Sequence, residues 1–311
     1  MSYFKYVDLN IFIGTSDMYY RRKLLLSLLE VFNNQLDKLR LQKLLFLVTT
    51  QQEKPDYHFV PYKYGCYSFQ SNADLMTLTK YNQVQLNDKT WFKTDKESYL
   101  FSLKEKDRHV IYNVKKNYGG MQTGTLVEYT YKKFPYFAIN SAWAKEKLSE
   151  EEYSRVLDAK PSSNEIMLFT IGYEGLSLEE YINKLIVNDI KVLCDVRKNP
   201  LSMKYGFSKV QLETACVGVG IEYRHIPEFG INSDKRQSLN SQEDYDRLFA
   251  TYRAEILPGT IELQNGLLEL LKKKERIALT CFEANINQCH RKHLAEAIAN
   301  LQGFDYKLIH I

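Results

Sequence analysis

Ile166-Met-Leu-Phe-Thr-Ile-Gly-Tyr-Glu174 starts as a short apolar run and ends in residues capable of polar chemistry. A run of this length and composition reads as a β-strand buried on both faces. The same design recurs four times downstream. Lys191-Val-Leu-Cys194 leads into Asp195-Val-Arg197, and Ile221-Glu-Tyr-Arg224 into His225-Ile-Pro-Glu228. Arg276-Ile-Ala-Leu-Thr280 leads into Cys281-Phe-Glu283, and Tyr306-Lys-Leu-Ile309 into His310. Helical patterns separate most of these runs, and strand-helix alternation predicts an α/β domain with a Rossmann-like, mainly parallel sheet. Open parallel sheets bind ligands in the crevice at their strand C-termini. The expected site therefore lies where the polar residues follow the apolar ones.

A chain of 311 residues suits two domains, each able to bury its own core. Apolar residues make up 44% and charged residues 26%, an ordinary globular balance. Met1-Ser-Tyr-Phe-Lys5 lacks a signal-peptide pattern and no long apolar run exists, so a cytoplasmic protein without membrane contact is expected. The five cysteines, at 66, 194, 216, 281 and 289, predict reduced thiols rather than a disulfide framework. Charge is uneven: residues 1–140 hold 20 Lys and Arg against 13 Asp and Glu. That half, with Arg21, Arg22, Lys23, Lys38, Arg40 and Lys43, either meets a polyanion such as nucleic acid through phosphates or simply presents a solvated basic face.

In the first half, Leu24, Leu25, Leu28, Leu29 and Phe32 follow helical spacing up to Asn33-Asn34, and Asp37 is placed to cap a second helix over 38–50. The aromatic stretch 57–69, broken by Pro61 and Gly65, suits a strand or wing. Together these predict an α+β, winged-helix-like domain, with a helix near 72–81, strands near 99–103 and a closing helix before Pro135. The polar stretch 145–164 places the boundary near residue 160, giving domains 1–160 and 161–311. Beyond it, Ser177 and Ser208 each open a helix with capping-box spacing. A further helix starting after Asn287 sets its N-terminal dipole beside His290 and Arg291, a predicted anion site.

Asp195 and Arg197 stand two apart past a strand and project to one side. Either they form a structural salt bridge, or Arg197 binds an anionic group while Asp195 acts as base. Glu174 and Glu283 leave two other strands at the same edge, where carboxylates near one substrate admit general acid and base roles; helix capping is the plainer reading. Cys281, Cys289 and His290 match no zinc spacing, so no metal is expected. Cys289 at a helix start is instead a candidate thiol, its pKa lowered there. His225 and His310 are second-tier candidates beside core-edge roles. Gly172 and Gly175 make no dinucleotide fingerprint and no P-loop is present, so no cofactor is expected.

Thr170-Ile-Gly-Tyr-Glu-Gly175, Asp195-Val-Arg197 with Pro200, Phe207-Ser208, Gly220-Ile-Glu-Tyr223, Cys289-His-Arg291 with Leu294-Ala295, and His310-Ile311 together resemble the domain of unknown function 488 family, over about 165–311. The resemblance implies a compact Rossmann-like domain whose polar signature falls on Thr170, Gly172, Glu174, Asp195, Arg197, Glu283, His290 and Arg291. One departure is Phe229-Gly-Ile-Asn232, where Ile231 replaces a second glycine and the nearest arginine is Arg236. Leu39-Arg-Leu-Gln-Lys-Leu-Leu-Phe46, Tyr57-His-Phe59 and Tyr62-Lys-Tyr-Gly65 are more weakly similar to the Panacea, or SocA-like antitoxin, domain, with Cys66 replacing the usual proline. That likeness implies a defence or toxin-antitoxin setting. Leu193-Cys-Asp-Val-Arg197 also resembles a rhodanese strand, but no cysteine occupies the expected catalytic loop.

The expected function is action on, or sensing of, a nucleotide or nucleic acid at the strand edge in a prokaryotic protein. Asp195, Glu174, Glu283 and His290 are the candidate catalytic groups, and Thr170, Gly172, Arg197, Cys289, Arg291 and His225 the candidate substrate-binding groups. Metal-independent hydrolysis fits those residue types. A non-catalytic sensor and a protein-binding regulatory module are the rivals.

Overall fold

The structure is a computed structural model that describes residues 18–232, 239 and 241–311. Met1 to Lys5 and Arg236, both part of the sequence reading, lie outside the described residues. The described strands, in chain order, are β1 Gln35–Asp37, β2 Val60–Tyr62, β3 Gly65–Tyr67, β4 Val84–Asn87, β5 Thr90–Lys93, β6 Met167–Gly172, β7 Val192–Asp195, β8 Glu222–His225, β9 Arg276–Cys281 and β10 Lys307–His310. The chain forms two compact units. One takes the residues up to Tyr57 together with Ala73–Met121, the other His58–Asn72 with Gln122–Ile311. The polar stretch 145–164, read above as a boundary, falls within the second unit and carries the helices Ala144–Lys147 and Glu150–Asp158.

The first unit is α+β. Its helix Tyr20–Val31 buries Leu24, Leu25, Leu28 and Leu29 and ends where Asn33 and Asn34 both adopt positive φ (61° and 60°), a conformation that asparagine tolerates. Asp37 then caps the helix Lys38–Thr49, its carboxylate accepting from Arg40 N at 2.8 Å. β1, β5 and β4 make a small antiparallel sheet in that order. The strands expected near 99–103 are instead a 3-10 turn at Leu100–Ser102. There the Glu30 carboxylate accepts the Tyr99 and Leu100 N-H groups, at 2.7 and 3.3 Å, that a neighbouring strand would otherwise have taken. The helix Glu105–Tyr118 was not anticipated. Several of the basic residues proposed for a polyanion serve this unit itself. Arg21 and Arg22 share the buried Asp74 carboxylate at 2.7 Å each, Arg40 donates to the Gly119 and Met121 carbonyls, and Lys43 is buried.

The second unit is built on a five-stranded, all-parallel sheet of order β10-β6-β9-β7-β8. Every run read from the sequence as a buried strand is one of its members. β6, β7 and β9 are buried at every position, which is why their sequences lack polar alternation. Met167, Phe169, Ile171, Leu193 and Ala278 face one core with the helices Leu178–Val187 and Lys209–Gly218. Leu168, Val192, Cys194, Ile277 and Leu279 face another with the helices Gln242–Thr251, Ile261–Lys274 and His290–Ala299. The chain therefore covers one face on its way out to β8 and the opposite face on its way back to β9 and β10. All five strand C-termini reach one edge. Among the described residues no helix is long and apolar enough to cross a membrane.

Ser177 forms the capping box that its spacing predicts, with Glu180. Ser208 does not: its hydroxyl bonds to Ser202 instead, and Gln211 turns back to accept from Gly206 N at 3.1 Å. Next to the working capping box, Glu179 is buried, and its carboxylate accepts from Ser68 Oγ at 3.0 Å and Gln70 N at 2.8 Å. Burial raises its pKa above the ordinary glutamate value, although these hydrogen bonds oppose the rise. A raised carboxyl pKa contributes stability that is fully present below the unfolded pKa and is lost as pH climbs through the folded one. Glu179→Gln keeps an acceptor for both donors and carries no charge. The variant is expected to equal or exceed wild-type stability at neutral pH, and to lose the part of the wild-type gain on acidification that belongs to this group. Urea midpoints across the range above pH 4.5 for both proteins test this, and parallel curves would remove Glu179 as their cause.

Candidate functional site

At the sheet's C-terminal edge the candidate residues separate into two clusters, one per face. The first centres on Asp195 and Arg197, whose side chains are 0% and 6% exposed. Arg197 Nε donates to Asp195 Oδ1 at 2.8 Å and Nη2 to Oδ2 at 2.5 Å, a bidentate pair, and the Arg197 backbone N-H joins at 3.1 Å. Tyr223 OH donates to the same carboxylate at 2.6 Å. Arg197 Nη1 donates to Tyr173 OH and to the Phe207 carbonyl, both at 2.8 Å. Tyr173 stacks on Phe207 at 4.3 Å between ring centroids. Burial is the largest single influence and opposes the Arg197 charge, but the Asp195 hydrogen bonds and charge together with Tyr173 outweigh it and hold the guanidinium above its ordinary pKa. Burial and the Asp195 charge raise the Tyr223 phenol, which therefore remains a donor.

The salt-bridge alternative for this pair is thus the one the geometry fits, though the bridge is buried rather than superficial. The Asp195 carboxylate already accepts four hydrogen bonds, which is the capacity of its two oxygens. Those bonds tie the strand end to the loop that follows it and to β8. His225 assists, its Nε2 donating to the Arg197 carbonyl at 2.9 Å.

The second cluster joins β9 to the helix His290–Ala299. Cys281, Cys289 and His290 are all buried, and one ligand atom from each lies within 4.8 Å of the others. His290 Nε2 donates to the Val196 carbonyl at 3.1 Å, which turns Nδ1 toward Cys281 Sγ at 3.7 Å. The expectation of a thiol activated at a helix start fails here. Burial pushes the Cys289 thiol well above its ordinary pKa, outweighing the Arg291 charge that lowers it. At the predicted anion site Arg291 is 2% exposed, its two Nη groups donate to the Glu283 and Ala284 carbonyls, and its buried Nε has no partner among the described residues.

The remaining candidates act locally. Glu174 is exposed and accepts from Ala284 N at 2.9 Å, a loop cap between β6 and β9. Gly172 leaves room for the Glu283 carbonyl, which stands where a side chain would begin. Thr170 Oγ1 bonds to His310 Nδ1 at 2.7 Å on the β10 side, and burial lowers the His310 pKa. Glu283 is half-buried beside the second cluster.

Between the two clusters opens a cleft of about 480 Å³, lined by Tyr173, Arg197, Lys198, Asn199, Asn232, Cys281 and Phe282 with the 201–203 loop. Sequence reasoning missed Tyr173, Lys198, Asn199 and Phe282. Their signal was position: Tyr173 and Phe282 lie inside motifs that were recognised, and Lys198 and Asn199 follow directly on Asp195-Val-Arg197. Asn232 belongs to the loop already noted as departing from the family pattern.

Residues 177–298 match the family described as a domain of unknown function, DUF488. That span runs from the first crossover helix through β9 into the last helix, and so includes Asp195, Arg197, Cys281, Cys289 and His290. The comparisons give no support to the N-terminal antitoxin or winged-helix likeness. No curated protein and no solved structure matches the chain.

Proposed function

We propose that the cleft at the sheet's C-terminal edge binds a nucleotide or a single-stranded nucleic-acid segment. The observation that supports this is the lining: a 42% exposed aromatic face at Phe282 stands beside the exposed cation Lys198 and the amides Asn199 and Asn232. Bases stack on such a ring, a lysine neutralises phosphate, and amides read base edges. Crevices at this edge of open parallel sheets are habitual ligand sites. Turnover, if the protein is an enzyme, would draw on Glu174 and Glu283, whose strands end beside the cleft.

The sensor reading is favoured over hydrolysis by one observation. Asp195, Arg197, His290 and Arg291 are held in internal hydrogen bonds, which suits a rigid binding frame more than a moving base.

A panel of nucleotides and short oligonucleotides, followed by thermal shift and by product analysis, separates the readings. A ligand that raises the melting temperature without product supports sensing; product supports hydrolysis. Phe282→Ala should weaken binding by about 1–3 kcal/mol per stacked base, and Lys198→Gln should flatten its salt dependence. If no member of the panel shifts the melting temperature of the full chain, the proposal fails.

A further inference from the structure

The second cluster has the composition and geometry of a metal centre, and this goes beyond ligand binding in the cleft. We infer that Cys281, Cys289 and His290 bind a thiophilic divalent ion, zinc being the best fit, with its fourth position open to a small ligand from the cleft.

Three observations carry the inference. The donor atoms converge: all lie within 4.8 Å of one another, and Cys281 Sγ stands 3.7 Å from His290 Nδ1. Tetrahedral zinc, with bonds of about 2.3 Å to sulfur and about 2.0 Å to nitrogen, sets its sulfur and nitrogen ligands roughly 3.6 Å apart. The imidazole is also oriented for the task. A carbonyl only accepts, so the bond to Val196 O at 3.1 Å fixes the proton on Nε2 and leaves the Nδ1 lone pair toward the sulfurs. Backbone carbonyls hold ligating histidines in this way in established metal sites. Finally, Cys281 borders the 480 Å³ cleft, so the cluster is next to solvent-filled space although its side chains are buried. Three protein ligands beside an accessible position are the pattern of zinc sites that keep a water or substrate, whereas closed structural sites supply four.

The sequence obscured this because Cys281 ends a strand while Cys289 and His290 open the next helix. Two sulfurs and one imidazole favour zinc or another soft ion over magnesium or calcium, which prefer oxygen.

Cobalt(II) is the probe. The reduced, metal-stripped full chain is titrated with cobalt and followed in absorbance. One equivalent should give the intense visible bands of a four-coordinate ion together with a thiolate charge-transfer band, and one equivalent of zinc should abolish them. The double variant Cys281→Ser with Cys289→Ser should lose the charge-transfer band and weaken binding by more than the 10–100-fold that removing an outer-shell partner costs. Cys66→Ser should leave the spectrum unchanged. Absence of both bands in folded, fully reduced wild type overturns the inference, whatever the variants do. A charge-transfer band that survives in the folded double variant overturns it as well. Because neither readout uses a nucleotide, failure of the ion site and failure of the cleft proposal are told apart.

Discussion

Asp195→Ala is expected to destabilise the second unit by about 3–5 kcal/mol, the cost of leaving a buried charge without its partner. Arg197 is 5% exposed, and the Tyr173 hydroxyl and Phe207 carbonyl that would remain to it carry no formal charge. Tyr223 would lose its acceptor at the same time. Arg197→Ala should cost a comparable amount, since it strands a carboxylate that is 0% exposed. The paired change Asp195→Leu with Arg197→Met should cost clearly less than the two alanine variants added together, because neither charge is then left alone. Urea denaturation of the three variants measures this. Single-variant losses within about 1 kcal/mol, as for an exposed ion pair, would show that the pair is solvated and would restore Arg197 as a free anion donor.

The parallel sheet could be read from the sequence because burial on both faces leaves its mark in composition. β6, β7 and β9 have no solvent face, so their apolar runs are continuous and cannot pass for amphipathic helix. The small antiparallel strands were harder. β4 (Val-Gln-Leu-Asn) and β5 (Thr-Trp-Phe-Lys) are four residues each, too short for alternation to stand out. At 99–103 a strand-like sequence was overruled by a tertiary contact, the Glu30 carboxylate, that no local pattern contains.

At the site, position was legible and role was not. The spacing of Asp195 and Arg197 shows that they share a side, but not that the side is closed over by Tyr223 from β8 and by Tyr173 and Phe207 from two other loops. Burial reversed the expected behaviour of Cys289 in the same way. A helix start lowers a thiol pKa only where solvent or a charge can stabilise the thiolate, and here desolvation dominates. Partners that come from other strands are set by sheet order, which places β9 between β6 and β7 although it follows both in the chain.

That order also fixes the role of Gly172, whose replacement by alanine is the other large effect expected. A Cβ at this position would stand 2.0 Å from the Glu283 carbonyl oxygen and 2.7 Å from its carbon, both backbone atoms. The approach cannot relax freely. Tyr173 N and Glu174 N both donate to the Phe282 carbonyl, at 3.1 and 2.9 Å, and Arg291 Nη1 donates to the Glu283 carbonyl while its Nη2 lies 3.1 Å from the same Cβ position. Gly172→Ala must therefore push the β9 loop away from β6, at about 1–3 kcal/mol. Phe282 and Cys281 move with that loop, so binding in the cleft and cobalt binding should weaken together. Gly175→Ala is the control: its φ of +80° strains a side chain, yet nothing lies within 4 Å of the new Cβ. It should cost about 1–2 kcal/mol without touching the loop. Equal stability of Gly172→Ala and wild type, with unchanged ligand binding, would show that the two strand ends are not in this contact.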